Sequence, residues 1–391
     1  MKNKNVIILS NNIACEPHFQ YIARVKQYFI KNGWNVTNLF SEADKVVICA
    51  CGFHEVMYRK VVNTLNHIFK YGVSLEDVII LGCFSSIYNK EMSDINIKNI
   101  ISIKETSKLD KVISADFPFD SIPVINDFRM PNKDDNDSIY YIKVADGCMM
   151  KCTYCVIKKS HGYIHSYPEE KLLLQYQGAI ENGYKHIHLI GEDTLAYGID
   201  TGTNIFELVK KMMLIDNSIE FDIENFHLGW ISKFENEIIE LCRTGKIKKL
   251  YVSMQHIDSR ILKLMGRDSN FDSAYNVLKK IKNEIPDIII TTDIIVGFPG
   301  ETRDEFAKLL DFLRNDTVFS KINHFGYSDN PKAESFYFEG KNSRYEILAR
   351  WEKVKKILKE RSPYFEENNS SFFDISHKMT LDSDYFICDK V

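Results

Sequence analysis

Three cysteines lie close together in the sequence, in the segment Cys148-Met-Met-Lys-Cys152-Thr-Tyr-Cys155. Thiolates at this spacing can converge on one iron–sulfur cluster, whereas tetrahedral zinc would usually take a fourth Cys or His nearby. With only three protein ligands, one iron of a [4Fe–4S] cluster would remain open to a small molecule. For any single cysteine a small buried hydrophobic side chain is the simpler interpretation, so it is the spacing that favours a cluster.

A second set of three cysteines is dispersed along the chain, at Cys15, Cys51 and Cys83. Each follows an apolar segment that predicts a buried β-strand, and successive members are 36 and 32 residues apart, about one strand–helix unit. Because the carboxyl ends of parallel strands meet at one edge of a sheet, we expect these thiols to converge in space. Three thiolates would again leave one iron without a protein ligand.

The other cysteines are predicted to have no ligand role. The chain has nine cysteines, and an odd number in a chain with no secretory signal argues against a disulfide framework. Cys242 falls in a predicted helix and Cys49 in a predicted strand, so both are expected to be structural, and Cys388 is expected to be free. Four histidines have no metal-ligand spacing and are assigned no role, namely His161, His186, His188 and His227.

Residues 1–126, which must position the dispersed cysteines, alternate between strand and helix patterns. The predicted strands are Val6–Ser10, Lys45–Ala50 and Val78–Leu81, and the predicted helices are Phe19–Asn32 and Val56–Phe69. This alternation predicts an N-terminal α/β domain with an open, mostly parallel sheet. The polar residues 127–138 that follow predict a linker.

Residues 139–340 predict a partial (β/α)6 barrel of the TIM type. Its predicted strands are Tyr140–Ala145, His186–Ile190, Ile219–Asp222, Leu250–Met254, Ile288–Val296 and Ile322–Tyr327. The helices between them are Glu169–Asn182, Ile205–Ile215, Phe234–Arg243, Phe271–Glu284 and Arg303–Arg314. There are no hairpin signals, and the local cysteine triad follows the first strand, where parallel barrels place catalytic groups. Residues 341–391 predict a helix, Arg344–Arg361, and a short tail.

The composition predicts a folded cytoplasmic protein. Of 391 residues, 45% are hydrophobic and 27% are charged, which excludes a wholly disordered or low-complexity chain. The net charge of −4 excludes a basic field over the whole protein. No apolar segment approaches the roughly 20 residues of a membrane span, so no membrane partner is expected.

The segment from Val144-Ala-Asp-Gly-Cys148 to Cys152-Thr-Tyr-Cys155 resembles the motif of the radical S-adenosylmethionine (SAM) superfamily. In that family the open iron binds the amino and carboxylate groups of SAM, and one electron from the cluster splits SAM to a 5′-deoxyadenosyl radical. The resemblance places Tyr154 at the aromatic position that lies against the adenine.

Both triads together resemble the methylthiotransferase family of radical SAM enzymes. The matching segments are Asp44–Cys51, Ile80–Cys83, Gly191–Asp200, Met254–Arg267 and Asp293–Thr302. The resemblance implies two [4Fe–4S] clusters, one on Cys148, Cys152 and Cys155 and an auxiliary one on Cys15, Cys51 and Cys83, with all six cysteines catalytic. It implies that SAM serves both as methyl donor and as radical source, that CH3S replaces an unactivated hydrogen, and that a low-potential flavodoxin or ferredoxin supplies electrons.

The resemblance also implies a set of cofactor contacts. SAM would be held by residues at the ends of the barrel strands, namely Tyr154, Gly191, Glu192, Asp193, Gln255, Arg267 and Gly297. For the acidic and amide members of this set, the alternative is a capping or structural hydrogen bond.

The substrate is the least determined part of the resemblance. The segment Gly191–Asp200 resembles the RimO-type branch, which modifies an aspartate β-carbon in a ribosomal protein, whereas Thr292–Gly297 resembles the branches that modify adenosine in tRNA. Lys158, His161 and Tyr167 replace a proline and two arginines of the family pattern, which puts the family's usual substrate contacts in doubt.

We expect a peptide or protein substrate, such as a ribosomally made peptide, because the chain is acidic and lacks the family's C-terminal TRAM domain, both of which weigh against nucleic acid. The alternatives are a tRNA adenosine methylthiotransferase, another radical SAM reaction such as epimerisation or dehydrogenation, or a non-catalytic iron–sulfur sensor.

Overall fold

The computed structural model describes residues 4–12, 15–128, 139–268, 270–361 and 386–388. These residues form two compact units. The N-terminal unit draws on the ranges 1–137, 156–162 and 379–391, and the barrel unit on 138–155 and 163–378. None of the helices in the described ranges is long and apolar enough to cross a membrane.

The N-terminal unit is built around a parallel sheet. Its strands in the first part of the chain are β1 (Lys4–Ser10), β2 (Trp34–Val36), β3 (Lys45–Cys49), β4 (Val78–Leu81) and β5 (Asn99–Ile101). Its helices there are α1 (Glu16–Lys31), α2 (Glu55–Phe69), α3 (Cys83–Ile87), α4 (Asn89–Asp94) and α5 (Ser107–Ile113). The strands run parallel in the order β1-β3-β4-β5, with β2 also paired to β1, which confirms the predicted fold class.

The barrel unit contains six parallel strands, as predicted. They are β6 (Ile139–Lys143), β9 (His186–Ile190), β10 (Glu220–His227), β11 (Ile247–Gln255), β12 (Ile289–Val296) and β13 (Lys321–Gly326). They pair in the order β6-β9-β10-β11-β12-β13, so the sheet is a partial barrel. A short antiparallel pair, β7 (Ala145–Asp146) with β8 (His165–Ser166), follows β6, although the sequence contains no hairpin signal there.

The helices after the first barrel strand confirm the alternation. They are α6 (Lys158–His161), α7 (Glu169–Glu181), α8 (Ile205–Ile215), α9 (Leu228–Lys233), α10 (Glu235–Arg243), α11 (Ser259–Leu264), α12 (Phe271–Glu284), α13 (Arg303–Asn315) and α14 (Arg344–Arg361). Apart from α6, these helices pack their apolar faces on the barrel strands in one continuous core, in which Trp351 of α14 is fully buried.

The division into units differs from the predicted domains at two places. Residues 156–162, predicted to lie in the barrel domain, belong to the N-terminal unit because α6 packs against α3. Strand β14 (Phe386–Ile387), in the predicted tail, pairs antiparallel with β1 and adds a strand to the same sheet. The predicted linker, except for Asp127 and Phe128, and the tail over 362–385 lie outside the described residues.

Candidate active site

The local cysteine triad lies on the loop that follows β6 and β7 in the barrel unit. Three backbone contacts hold this loop through Thr153. Its N–H donates to the carbonyl oxygen of Met265 (3.0 Å), its hydroxyl donates to that of Leu264 (2.8 Å), and its carbonyl oxygen accepts from Ser335 (2.9 Å). Gly266, at φ +68°, allows the Lys151 carbonyl to approach where any Cβ would collide with it. The end of the segment Met254–Arg267, which resembles the methylthiotransferase pattern, therefore sets the conformation of the cysteine loop.

The three thiols of this loop influence one another electrostatically. Burial and the Asp193 carboxylate raise the pKa of Cys148, and the neighbouring Cys152 and Cys155 raise it further. The backbone N–H of Met150 donates to Cys148 Sγ (3.3 Å) and opposes this shift. Three soft sulfur donors that interact in this way fit an iron–sulfur cluster with three protein ligands.

Arg267 brings a partly buried positive charge to the same loop. Its Nη1 lies 3.3 Å from Cys152 Sγ and 3.2 Å from the hydroxyl of Tyr154, and its Nη2 donates to the Ser253 carbonyl. Burial alone would lower the pKa of Arg267, but Tyr154 and Cys152 raise it above its ordinary value. The guanidinium thus stays charged. Because a cysteine binds a metal as a thiolate, this positive charge stabilises the metal-binding form of Cys152.

Asp193 also contacts the cysteine loop. Its Oδ2 accepts from the backbone N–H of Met149 (3.2 Å) and lies 3.7 Å from Cys148 Sγ, while its Oδ1 accepts from the Trp230 indole (2.9 Å). Burial raises the pKa of Asp193 to about 6, although these hydrogen bonds lower it. His227 brings a ligand nitrogen within 4.8 Å of the same cluster of atoms. The sequence gives no signal for Trp230, because the contact joins two separate strand ends.

Glu192 and Gly191 lie at the end of β9, beside the start of the loop. Glu192 accepts from the backbone N–H of Gly147 (3.0 Å) and pairs with Lys143 Nζ (3.2 Å), which also pairs with Asp146 (2.5 Å). The Gly191 carbonyl accepts from Asn225 (2.6 Å). The carboxylate predicted to bind SAM therefore already has internal partners.

Gln255 and Gly297, at the ends of β11 and β12, both have left-handed backbone conformations. Gln255 has φ +71°, a left-handed conformation that a non-glycine residue adopts only when its surroundings enforce it. Gly297 has φ +77°, and its N–H donates to the fully buried Glu301 carboxylate, which also pairs with Arg350 (2.9 Å).

Aromatic side chains connect the turn at Gly297 to the cysteine loop. Phe298, next to Gly297, is fully buried, and its ring is edge-on to Tyr154 with 6.4 Å between the ring centroids. Tyr327 and Ile347 belong to the same apolar cluster. The structure thus brings Tyr154, predicted to lie against adenine, and the Gly297 turn to one apolar surface.

The dispersed triad is assembled at the carboxyl edge of the N-terminal sheet. Cys15 caps α1 after β1, Cys51 follows β3, and Cys83 begins α3 after β4. Two glycines next to these cysteines let their loops approach. A Cβ on Gly82, at φ +105°, would lie 2.7 Å from the Ala50 carbonyl oxygen, and one on Gly52 would lie 2.8 Å from the Cα of Phe84.

A buried asparagine fixes the backbone of the middle cysteine. Asn11 accepts from the Cys51 N–H (2.8 Å), donates to the Cys51 carbonyl (3.0 Å) and donates to the carbonyl of Met57 (3.1 Å). These three bonds tie the end of β1 to the loop after β3 and to α2. The geometry of Cys51 is therefore set by the sheet rather than by a free loop.

The thiols of this triad also influence one another. Burial raises the pKa of Cys15, and Cys51, Glu16 and Cys83 raise it further. Burial and Cys83 raise the pKa of Cys51 to about 12, opposed by hydrogen bonds from the amides of Phe53 and Gly52 and from Asn12. As in the barrel loop, three interacting sulfurs with N–H donors fit an iron–sulfur cluster.

His161, which was assigned no role from the sequence, contacts this triad. The Nε2 of His161 lies 3.0 Å from Cys83 Sγ, within the N-terminal unit. The three cysteines outside the two triads, Cys49, Cys242 and Cys388, are buried.

Comparison with known proteins defines the class of this protein. The radical SAM superfamily matches residues 142–313, which span β6 to α13 and include the local triad. The uncharacterized protein family UPF0004 matches residues 10–102, which include the dispersed triad. The chain is therefore a radical SAM protein, a class that uses an iron–sulfur cluster and SAM.

Individual relatives identify the family within this class. A ribosomal protein uS12 methylthiotransferase RimO from Alkaliphilus oremlandii is 30% identical over 360 residues, covering 88% of this chain and 81% of the relative. A probable threonylcarbamoyladenosine tRNA methylthiotransferase from Pyrococcus abyssi is 29% identical over 331 residues, covering 82% and 74%. The chain belongs to the radical SAM methylthiotransferase family.

The fold also resembles a solved radical SAM structure. The methyltransferase TsrM from Kitasatospora setae, solved with cobalamin and a [4Fe–4S] cluster, superposes with a TM-score of 0.58 at 12% identity, covering 85% of this chain and 77% of TsrM. At this identity the likeness concerns the fold alone.

Proposed function

We propose that this enzyme uses two [4Fe–4S] clusters and SAM to replace a C–H hydrogen of a peptide or protein side chain by CH3S. The observation that carries the proposal is the convergence of Cys15, Cys51 and Cys83, because a radical SAM reaction that only cleaves SAM needs the local triad alone. When bound, the clusters and SAM supply the radical and sulfur chemistry, and the chain supplies binding, orientation and electrostatics.

The residues around the local triad have distinct proposed roles. Arg267 keeps positive charge beside Cys152, and Tyr154, packed against the fully buried Phe298, offers the apolar surface for the adenine of SAM. Asp193 orients the start of the cysteine loop through the backbone of Met149.

The strand ends complete the proposed SAM site. Gly191 and Glu192 place the end of β9 beside Gly147, and Gln255 and Gly297 offer backbone in left-handed conformations at the ends of β11 and β12.

A peptide or protein substrate is favoured by charge. The chain carries −4, whereas binding of a tRNA backbone depends on clustered Lys and Arg side chains that neutralise phosphates. The RimO-like segment Gly191–Asp200 has an internal role as well, since Asp200 accepts from the N–H and hydroxyl of Ser166. Its likeness to RimO therefore supports the family branch but identifies no substrate contact.

A tRNA adenosine substrate is the second candidate, favoured by the Pyrococcus abyssi relative and by the segment Thr292–Gly297. In either case we propose a low-potential flavodoxin or ferredoxin as the electron donor and the cytoplasm as the location.

The test combines iron counting with product analysis. Protein reconstituted with iron and sulfide should lose about half its iron when Cys15, Cys51 and Cys83 are replaced by alanine, and about half when Cys148, Cys152 and Cys155 are replaced. With SAM and a reductant, the intact protein should add a mass of CH2S to ribosomal protein or to peptides from the same cells, measured by mass spectrometry. Methylthiolated adenosine in tRNA with no modified peptide would refute the protein substrate.

A further inference from the structure

His161 makes a specific contact with the dispersed triad that the proposed function does not use. Its Nε2 lies 3.0 Å from Cys83 Sγ, although the two residues are 78 positions apart in sequence. His161 replaces an arginine of the methylthiotransferase pattern that this sequence resembles. The contact therefore belongs to this chain's own tertiary structure.

The imidazole is held in place from both sides of the contact. Helix α6 presents it, with Val156 and Ser160 fully buried and the His161 N–H donating to the carbonyl of Ile157 (3.0 Å). On the other side, α3 is fixed by the Phe84 N–H, which donates to the Ala50 carbonyl (3.0 Å). The contact therefore joins two anchored segments of the N-terminal unit.

The distance identifies a hydrogen bond rather than a fourth iron ligand. Two ligand atoms on different irons of one cluster lie much farther apart than 3.0 Å, because each is bonded to its own metal. A thiolate bound to iron carries no proton and can only accept. The compatible arrangement is therefore Nε2–H donating to the sulfur of Cys83.

We propose that His161 is a positioning residue for the auxiliary cluster, which donates its Nε2–H to the Cys83 thiolate and stabilises the reduced state of that cluster. The inference rests on the proposed function, because it requires a cluster on Cys15, Cys51 and Cys83. Hydrogen bonds to cluster sulfurs are one of the factors that set reduction potentials, since they offset the extra negative charge of the reduced form.

The experiment isolates the auxiliary cluster in full-length chain that carries Cys148→Ala, Cys152→Ala and Cys155→Ala. In this background His161→Phe removes the donor while keeping a ring, and His161→Gln restores an N–H donor. His165→Phe, at an exposed histidine of the barrel unit, is the matched control. Iron content, the midpoint potential by EPR-monitored titration, and pulsed EPR of protein labelled with 15N-histidine are measured on each.

We expect His161→Phe to bind as much iron as its parent but to weaken the reduced state about tenfold, a shift of about 59 mV to lower potential for a one-electron couple. His161→Gln should recover most of the shift, and His165→Phe should show none. The 15N signal should be a weak coupling that disappears in His161→Phe.

Three results would overturn the proposal. An unchanged potential in His161→Phe would exclude the hydrogen bond. A strong 15N coupling, or loss of iron in both His161 variants, would make His161 a ligand instead. If the parent with His161 intact holds no cluster, the auxiliary site itself is refuted, and the inference fails together with the proposed function.

Discussion

Replacement of Gly82 by alanine tests how the N-terminal sheet brings its cysteines together. Gly82 has φ +105° and ψ −164°, a conformation open essentially only to glycine. A Cβ there would lie 2.7 Å from the Ala50 carbonyl oxygen, a backbone atom that no side-chain rotation can move away. Backbone strain of this kind destabilises the folded state by on the order of 1–3 kcal/mol. Because of the additional collision, we expect Gly82→Ala to lose about 3 kcal/mol of stability, at the upper end of that range.

Gly72 provides a matched control. Its φ of +80° imposes a similar backbone strain, but a Cβ there would meet nothing within 4 Å. Gly72→Ala should therefore cost only about 1 kcal/mol. The difference of about 2 kcal/mol corresponds to roughly 30-fold in the local opening equilibrium.

Hydrogen exchange measured by mass spectrometry can resolve this difference locally. Peptides covering β3 and β4 should exchange roughly 30-fold faster in Gly82→Ala than in Gly72→Ala. Iron bound in the absence of the barrel triad should fall in the first variant and not in the second. Equal exchange in the two variants, or full iron content in Gly82→Ala, would show that the close approach of the two loops does not assemble the site.

Two further predictions concern the barrel unit. Arg350→Met removes the arginine that pairs with the fully buried Glu301 carboxylate and leaves it only His256 Nε2, at 3.4 Å. The free energy of unfolding in urea should therefore fall by about 3–5 kcal/mol, and adding Glu301→Gln should recover part of that loss. A loss below about 1 kcal/mol would contradict the buried pair. Asp193 has a folded pKa of about 6 against an ordinary 3.8, so in iron-free protein its contribution to stability is greatest at low pH and is lost as pH rises through about 4 to 6. Relative to Asp193→Asn, the wild-type unfolding free energy should drop by about 3 kcal/mol across that window, and parallel pH profiles would refute the raised pKa.

Elements with strong local signals could be predicted from the sequence. Helices Ile205–Ile215 and Phe271–Glu284 begin and end at the predicted residues, and each is preceded by an asparagine whose side chain accepts from the first turn. Strands β2 and β5 were missed because each has only three residues, too few for a hydrophobic period. Strand β14 was missed because its pairing with β1 depends on a partner far away in sequence.

In the candidate site too, features that follow from strand topology could be predicted, whereas contacts between distant residues could not. The predicted convergence of Cys15, Cys51 and Cys83 follows from strand topology and is supported by their mutual electrostatics. The contact of His161 with Cys83 could not be predicted, because it depends on a short helix that packs outside the barrel unit. Glycines beside cysteines were an available signal for the close approach of the loops.

The composition of the N-terminal unit has a consequence for synthesis of the protein. Its sheet begins with Lys4, yet it also includes helix α6 from the middle of the chain and strand β14 near residue 386. A ribosome makes a chain from its amino end, so the unit that starts first is completed last. Strand β2 pairs with β1 at Lys4–Val6, but the pairing at Leu9 and Ser10 forms only after β14 has emerged. His161 is likewise synthesised 78 residues after its partner Cys83. Iron delivery to that unit in its final form therefore follows synthesis of the barrel unit.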